Sequence, residues 1–485
     1  MAERHDENEM EFLWDDEELA SFREPETNRL LNVVYDESIT RRPGFSEHAA
    51  RGIEGAGADR SHAKKGRKRR LLRQLIGALA AFLIFFSSMY CFLVYSDIPF
   101  IKKWRTIYIE TAMGTMTHQW LATAFLPQSV IDSVMTDRTS VEQQQKGLSS
   151  YWGDVEDGDA VDYTLSMRPW SELEPEFETY YSEINPTTFQ AYMQEHGSEA
   201  IDENGYLFID EADYDDEDTG IRTIYGDAVC AIDTRNGIVI VTLEDDSYYG
   251  KLAIVKNPAQ ASVAAASNLE GGEGEYIEDI VHSNNAILGI NASGFDDPDG
   301  TGNGGDIYGM AFSGGQRIVG RNGCTMKVIS LSQDNLLNIS DKKPSDAREA
   351  MQFDPALILN GDLLISGSSG WGLQPRTVIG QTRDGQLLLS VVDGRQPGYS
   401  LGITIGDLSD ILYRYGAYQA CNLDGGSSSL MYYDGRPITS SSAADSTYGR
   451  HVPDAWIIAR GAGDFGSYED EDDDTEWYSD WDSEW

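Results

Sequence analysis

The run LIGALAAFLIFFSSMYCFLVY, Leu75 to Tyr95, constrains this chain most, because every residue in it is apolar or small. A helix rising about 1.5 Å per residue needs roughly 20 such residues to cross the hydrocarbon core of a bilayer, so the run has the length of one membrane span. A cleaved signal peptide fits less well, since the run is long, starts far from Met1 and lacks a clear small-x-small cleavage site. A buried core helix of this length would normally carry a polar face. Lys64, Lys65, Arg67, Lys68, Arg69, Arg70 and Arg73 abut its N-terminal end, against Lys102, Lys103 and Arg105 beyond the other. The positive-inside rule then places residues 1–73 in the cytoplasm and everything after the 74–95 span outside.

Charge narrows the partners. A formal net charge of -44 over 485 residues excludes nucleic acid, whose phosphates are bound by basic surfaces. Of the four cysteines, Cys91 lies within the span, and Cys230, Cys324 and Cys421 follow no zinc spacing. They read as buried free thiols rather than a disulfide scaffold, with one bridge among them still open.

Composition divides the remainder. Residues 1–73 show no sustained period and read as a disordered tail, as does the acidic stretch 463–485, in which Trp477, Trp481 and Trp485 recur every four residues. Residues 96–220 read as a juxtamembrane and acidic connector with a helix over Pro186 to His196. From Ile221 to residue 462 the pattern becomes strand-like. RTIYGDAVCAIDTRNGIVIVTLEDDSYYGKLAIV carries β-branched runs separated by turn residues, and RTVIGQTRDGQLLLSVVDG reads as a hairpin about Arg-Asp-Gly-Gln. TIGDLSDILYRYG predicts a helix capped by Thr404, with Asp407 as its box partner, an apolar face of Leu408, Ile411, Leu412 and Tyr415, and an end at Gly416. The expected class is α+β, a mixed sheet of hairpins with packed helices, preceded by a single transmembrane helix.

Three acidic, glycine-bearing segments each follow an apolar run: GINASGFDDPDGTGNGGD, VVDGRQPG and NLDGGSSS. Cleaving a sugar acetal needs a proton donor for the leaving group and a carboxylate to stabilise the oxocarbenium-like centre or activate water, so carboxylates at neighbouring strand ends are suitable tools. Asp393 and Asp424 are the best pair by this criterion. The same residues also suit turns, where Asp caps backbone N–H groups and Gly supplies positive φ. Asp296, Asp297, Asp299, Asn303 and Asp306 give the first segment the composition of a calcium loop, though no glutamate closes it at the EF-hand position; a metal there stays open. Arg376, Arg395 and Arg450 lie beside these segments, where a guanidinium fork matches phosphate oxygens or pairs with a carboxylate. Asn291 and Asn338 open glycosylation sequons, Asn291 at a strand end poorly suited to a glycan.

Taken together and in order, YYGKLAIVKNP, AILGINASGF, LILNGDLL, the run from Pro375 to Ile438, and GRHVPDAWII resemble the phosphodiester glycosidase family. The resemblance covers roughly Ile221 to Arg460. It implies an α+β domain that hydrolyses a sugar-1-phosphodiester, with Asp424 and Asp393 as the catalytic carboxylates and Arg376 and Arg395 as a phosphate clamp. Asn291, Gly294, Gly425, Gly426 and Ser427 become substrate-binding positions. The chain departs from the family pattern at Asn291 to Phe295, where Asn-Gly-Gly-Phe-Phe is usual, at Ser427, where a third glycine is frequent, and at Asp454, where Asn is common. The implied partner is a surface glycan or polysaccharide, and no cofactor is required. A non-catalytic polysaccharide-binding or exopolysaccharide-assembly protein using the same fold is the alternative.

Overall fold

The computed structural model describes residues 57–115, 118–153, 162–213, 218–269, 272–297, 302–320 and 324–461. Of the tail expected over residues 1–73, residues 1–56 lie outside these, as do the tail expected over 463–485 and Asp299, whereas residues 57–73 belong to a helix rather than a disordered segment. The chain divides into two compact units, 1–82 and 83–485. The described part of the first is helical and belongs to helix Gly57–Tyr95. Within that helix, Arg70–Tyr95 is long and apolar enough to cross a membrane.

The second unit is α+β. Its centre is a nine-stranded sheet in the spatial order Phe208–Asp210, Val229–Asp233, Ile238–Asp245, Tyr248–Val255, Leu387–Val392, Arg376–Thr382, Ala417–Asn422, Ala356–Leu359 and Asp362–Leu363. Its strand pairings are antiparallel. Two five-stranded sheets accompany it: one runs between Met310 and Phe353, and the other joins Ala261–Ala265, Asp454–Ala459, Ala286–Asn291, Met431–Tyr433 and Arg436–Pro437.

Both faces of the central sheet are covered, which is why its strands read as unbroken apolar runs rather than alternating ones. Successive side chains point to opposite faces, so Ile238 and Ile240 enter the core shared with the smaller sheets while Val239 and Val241 enter the core beneath the helices. Leu387 and Leu389 part from Leu388 in the same way. The second core takes Leu173, Phe177, Tyr181 and Phe189 from the helical segments before the sheet, and Leu408 and Leu412 from helix Ile405–Arg414.

Local signals explain where elements begin. Thr404 caps helix Ile405–Arg414, its Oγ1 accepting from the Asp407 N–H at 3.2 Å and donating to the Asp407 carboxylate at 2.6 Å. Asn185 accepts from the N–H groups of Thr187 and Thr188 at the start of helix Pro186–His196. The Arg376–Thr382 and Leu387–Val392 strands form the hairpin expected of that segment.

The central sheet starts before Ile221, since Phe208–Asp210 pairs with Val229–Asp233 at its edge. Helices Pro99–Met113, Trp120–Thr123 and Gln128–Gln145 close a small core of Ile109, Ala112, Ala122, Ile131 and Val134. The Gln145 amide joins that layer to the sheet, donating to Ala356 O at 2.8 Å and accepting from Ala356 N–H at 3.0 Å. None of Cys230, Cys324 and Cys421 is in a disulfide; Cys230 and Cys421 are buried as expected, whereas Cys324 is only partly buried.

Candidate active site

Asp424 stands where strand Ala417–Asn422 leaves the central sheet. Leu423 N–H still donates to Thr377 O within that sheet, at 2.8 Å, whereas Asp424 N–H donates to Ala292 O, at the end of a strand in the neighbouring sheet, at 3.0 Å. Asn291 pins the same residue from the other side: its Nδ2 donates to Asp424 O at 2.7 Å, and its Oδ1 accepts from Thr377 Oγ1 at 2.7 Å. The Asn291 side chain is thus buried and used within the protein. Two sheets meet at one carboxylate, and the meeting fixes its position.

The glycines around Asp424 each have a steric reason. A Cβ on Gly294 would lie 2.9 Å from the Phe353 ring and 3.8 Å from Asp424 Oδ1, so glycine keeps the face of the carboxylate open. At Gly425 a Cβ would meet Pro375 O at 2.9 Å. Gly426 has φ +66°, and a Cβ there would lie 3.0 Å from Arg395 Nη1. The turn serves the protein first: Gly426 N–H donates to Pro375 O at 3.1 Å, and the Gly425 N–H and the Ser428 hydroxyl favour the ionised form of the Asp424 carboxylate. Their observed contribution is to hold Asp424 and bring Arg395 close.

Burial pushes the Asp424 carboxyl up to about 6, against the pull of the Ser428 and Gly425 hydrogen bonds and of the Arg450 and Arg395 charges. Arg395 is exposed, in the left-handed region at φ 59°, with its guanidinium over Gly426. Arg450 is mostly buried. Its Nη1 donates to Asp297 Oδ2 at 2.6 Å and to Ser427 Oγ at 3.3 Å, its Nη2 donates to Gly302 O at 2.8 Å, and the guanidinium lies 4.7 Å from the centre of the Phe295 ring. A half-buried carboxylate thus has a guanidinium contributed by each of two chain segments distant in sequence.

Asp393 and Arg376 are buried more deeply than Asp424. Asp393 is 1% exposed: its Oδ2 accepts from Tyr399 OH at 2.9 Å and Ser440 N–H at 3.0 Å, and its Oδ1 has no hydrogen-bond partner. Burial pushes this carboxyl up to about 7. Arg376 is buried, its Nη2 donating to Trp371 O and Gly372 O at 2.8 and 3.1 Å, and desolvation lowers its pKa to about 9. Its charge supports the loop before the strand, while Arg395 occupies the open side. Ser427 lies in the turn, accepting from Arg450 through Oγ and from Ser441 Oγ through its carbonyl. In the acidic loop, Asp297 pairs with Arg450 and Asp296 Oδ1 accepts from Tyr308 OH. Among the described residues no group of three or more His, Cys, Asp or Glu side chains could hold a metal.

In the sequence Arg450 lies beside a motif, with no local signal that assigns it to the site. Its approach to Ser427 depends on strand Asp454–Ala459 pairing with Ala286–Asn291, a long-range registration that no local pattern encodes. Ser428 was legible only as part of a serine run.

Residues 284–459 match the family model described as phosphodiester glycosidase. No curated protein matches the chain. Among solved structures, the catalytic domain of zebrafish N-acetylglucosamine-1-phosphodiester α-N-acetylglucosaminidase, auto-inhibited by its pro-peptide, is similar at 19% identity and a TM-score of 0.40, over 46% of this chain and 82% of that one. A hypothetical protein from Synechocystis is similar at 15% identity and a TM-score of 0.38, over 50% of this chain and 65% of that one. A putative exported protein from Burkholderia pseudomallei follows at 14% and 0.32, over 44% and 74%.

Proposed function

We propose that this chain, in which residues 284–459 match the phosphodiester glycosidase family, hydrolyses a sugar-1-phosphodiester at Asp424. The observation that carries the reading is the Asp424 carboxylate at the junction of two sheets, with Arg395 and Arg450 beside it. A glycosyl phosphodiester presents one negative charge next to an acetal carbon. Guanidinium groups neutralise that charge and stabilise the charge that grows as the bond to the anomeric carbon breaks. A phosphomonoester is already a good leaving group, so the arginines do much of what a proton does for an alcohol. Water adds to the anomeric carbon, the bond from that carbon to the phosphate oxygen breaks, and free sugar and phosphomonoester depart. Asp424, ionised above about pH 6, acts on the anomeric side as base or nucleophile. Asp393, with a pKa near 7, is the second carboxylate of this reading and is partly protonated at neutral pH.

We place this activity outside the cell, on a glycosyl phosphate of a surface glycan or exopolysaccharide, with Arg70–Tyr95 as the anchor. The basic cluster at the N-terminal end of that span supports this orientation. With tags at both ends and protease added to intact cells, the C-terminal tag should be lost and the N-terminal one kept; the reverse would overturn the placement. The activity itself is tested on the purified protein with a panel of aryl and alkyl phosphate diesters of N-acetylhexosamines and related sugars. Sugar release is expected, and its absence across the panel would defeat the reading in favour of a protein that only binds polysaccharide.

A further inference from the structure

Gln374 is buried between helix Pro99–Met113 and the candidate site. Its Oε1 accepts from Arg395 Nε at 2.8 Å, and its Nε2 donates to Thr111 O on that helix at 2.9 Å. Only one orientation of the amide works: turned over, it would set an N–H group against the Arg395 N–H and an oxygen against the Thr111 carbonyl. Residues with only a donor or only an acceptor cannot bridge these two partners. We infer that Gln374 is a positioning residue that ties Arg395 to helix Pro99–Met113, making a helix outside the matched family region part of the working site.

The surrounding loop supports the same reading. Leu373 N–H donates to Thr111 Oγ1 at 3.0 Å, and Gly370 N–H donates to the buried Glu110 carboxylate at 2.8 Å. Gly370 and Gly372, at φ +92° and +57°, let the backbone press against the helices; a Cβ on Gly372 would meet Thr111 N at 2.4 Å, and one on Gly370 would meet Arg138 Cβ at 2.3 Å. Two residues after Gln374, the Arg376 guanidinium holds the carbonyls of Trp371 and Gly372. The loop is therefore fastened at several points, and Gln374 passes that fixation to an arginine whose own side chain is exposed. Without this tie, Arg395 has several free rotamers and its charge spends less time beside Asp424.

The inference rests on Asp424 and Arg395 forming the site, but not on the bond that is cleaved. The test is a double-mutant cycle on the full-length protein in nanodiscs, with Gln374→Met, Arg395→Ala and the pair. Methionine keeps the length of the side chain and removes both hydrogen bonds. On a diester that is hydrolysed, Gln374→Met should lower kcat/KM about 10-fold, the effect of one lost bond to a charged group, and should add little once Arg395 is absent. The second readout needs no turnover. In protein labelled with ¹³C-carboxyl aspartate, the Asp424 signal, identified by its loss in Asp424→Asn, should titrate at higher pH in Gln374→Met and in Arg395→Ala, and no higher in the pair. If Gln374→Met does not fold, Gln374→Asn replaces it, since it retains both groups but is one methylene too short to reach both partners. Additive losses, or an Asp424 titration that Gln374→Met leaves in place, would overturn the inference. If no diester is hydrolysed, the proposed reaction falls and the titration still decides the role of Gln374.

Discussion

Asp424 and Asp454 are two aspartates that burial pushes to the same pKa of about 6, yet their surroundings differ in kind. Asp454 is fully buried on strand Asp454–Ala459, its Oδ1 accepting from Ser293 N–H and its Oδ2 from Ser293 Oγ, both at 2.8 Å. Both oxygens serve one neighbouring residue, and no arginine is among the causes of its shift. Asp424 is half-buried, faces the gap left by Gly294 and feels Arg450 and Arg395. A raised carboxyl pKa therefore marks removal from water and does not by itself mark chemistry; access and cationic partners separate a working carboxylate from a strut.

The largest test of this contrast is Asp424→Asn. It removes the ionisable group and keeps the shape, so turnover should fall about 10²–10⁴-fold with the melting temperature little changed. Retained turnover would move the chemistry elsewhere. Next come the guanidinium groups. Arg450→Met should cut kcat/KM about 10–100-fold on a diester, since it removes a charge-assisted contact, and it also leaves Asp297 without its ion-pair partner. An uncharged glycoside, with no phosphate to neutralise, should lose much less; equal losses on both would mean that Arg450 only holds the loop.

The pH dependence of the reaction sharpens the contrast further. Asp424 must be ionised, so kcat/KM should fall as pH drops through about 6. Arg450 lowers this pKa, so Arg450→Met should move the acid limb to higher pH. A limb that moves down or stays in place would remove Asp424 from that role.

Asp454→Asn should have the smallest effect on turnover, within a few-fold, and show itself in stability instead. The Asp454 carboxyl binds its proton more tightly in the folded protein than in the unfolded chain, so folding takes up a proton between pH about 4 and about 6, and stability falls as pH rises through that window. Above it the full cost of burying the charge is present, on the order of 2–3 kcal/mol. Asparagine has no such charge and can still accept from Ser293 N–H while the hydroxyl reorients. The variant should melt close to the parent near pH 4 and above it at pH 7–8. A gap that does not change with pH would show that the Asp454 charge is not the determinant.

Much of the frame was legible locally. Thr404 and Asp407 mark a helix start, Asn185 and Pro186 another, and the apolar runs around Arg383-Asp384-Gly385 a hairpin, because caps and turns are settled by residues within one turn of each other. Asp424 was legible too, as a carboxylate at a strand end followed by two glycines. Arg376 and Arg395 were not separable in this way, for both are arginines beside the same motif. One is buried against the carbonyls of Trp371 and Gly372 and the other lies over Gly426, a difference set by which way each side chain leaves its backbone.

What the sequence by itself determined is therefore the class of each segment: a helix long enough to span a bilayer, an α+β body, and an acidic, glycine-rich strand end carrying Asp424. Only the tertiary structure decided the company that Asp424 keeps. Arg450 arrives through the pairing of strands Asp454–Ala459 and Ala286–Asn291, and Gln374 reaches Arg395 because helix Pro99–Met113 packs on its loop. Local propensity acts over a few residues, whereas these contacts join positions far apart in the chain, and they form only when the burial of shared cores brings the segments together.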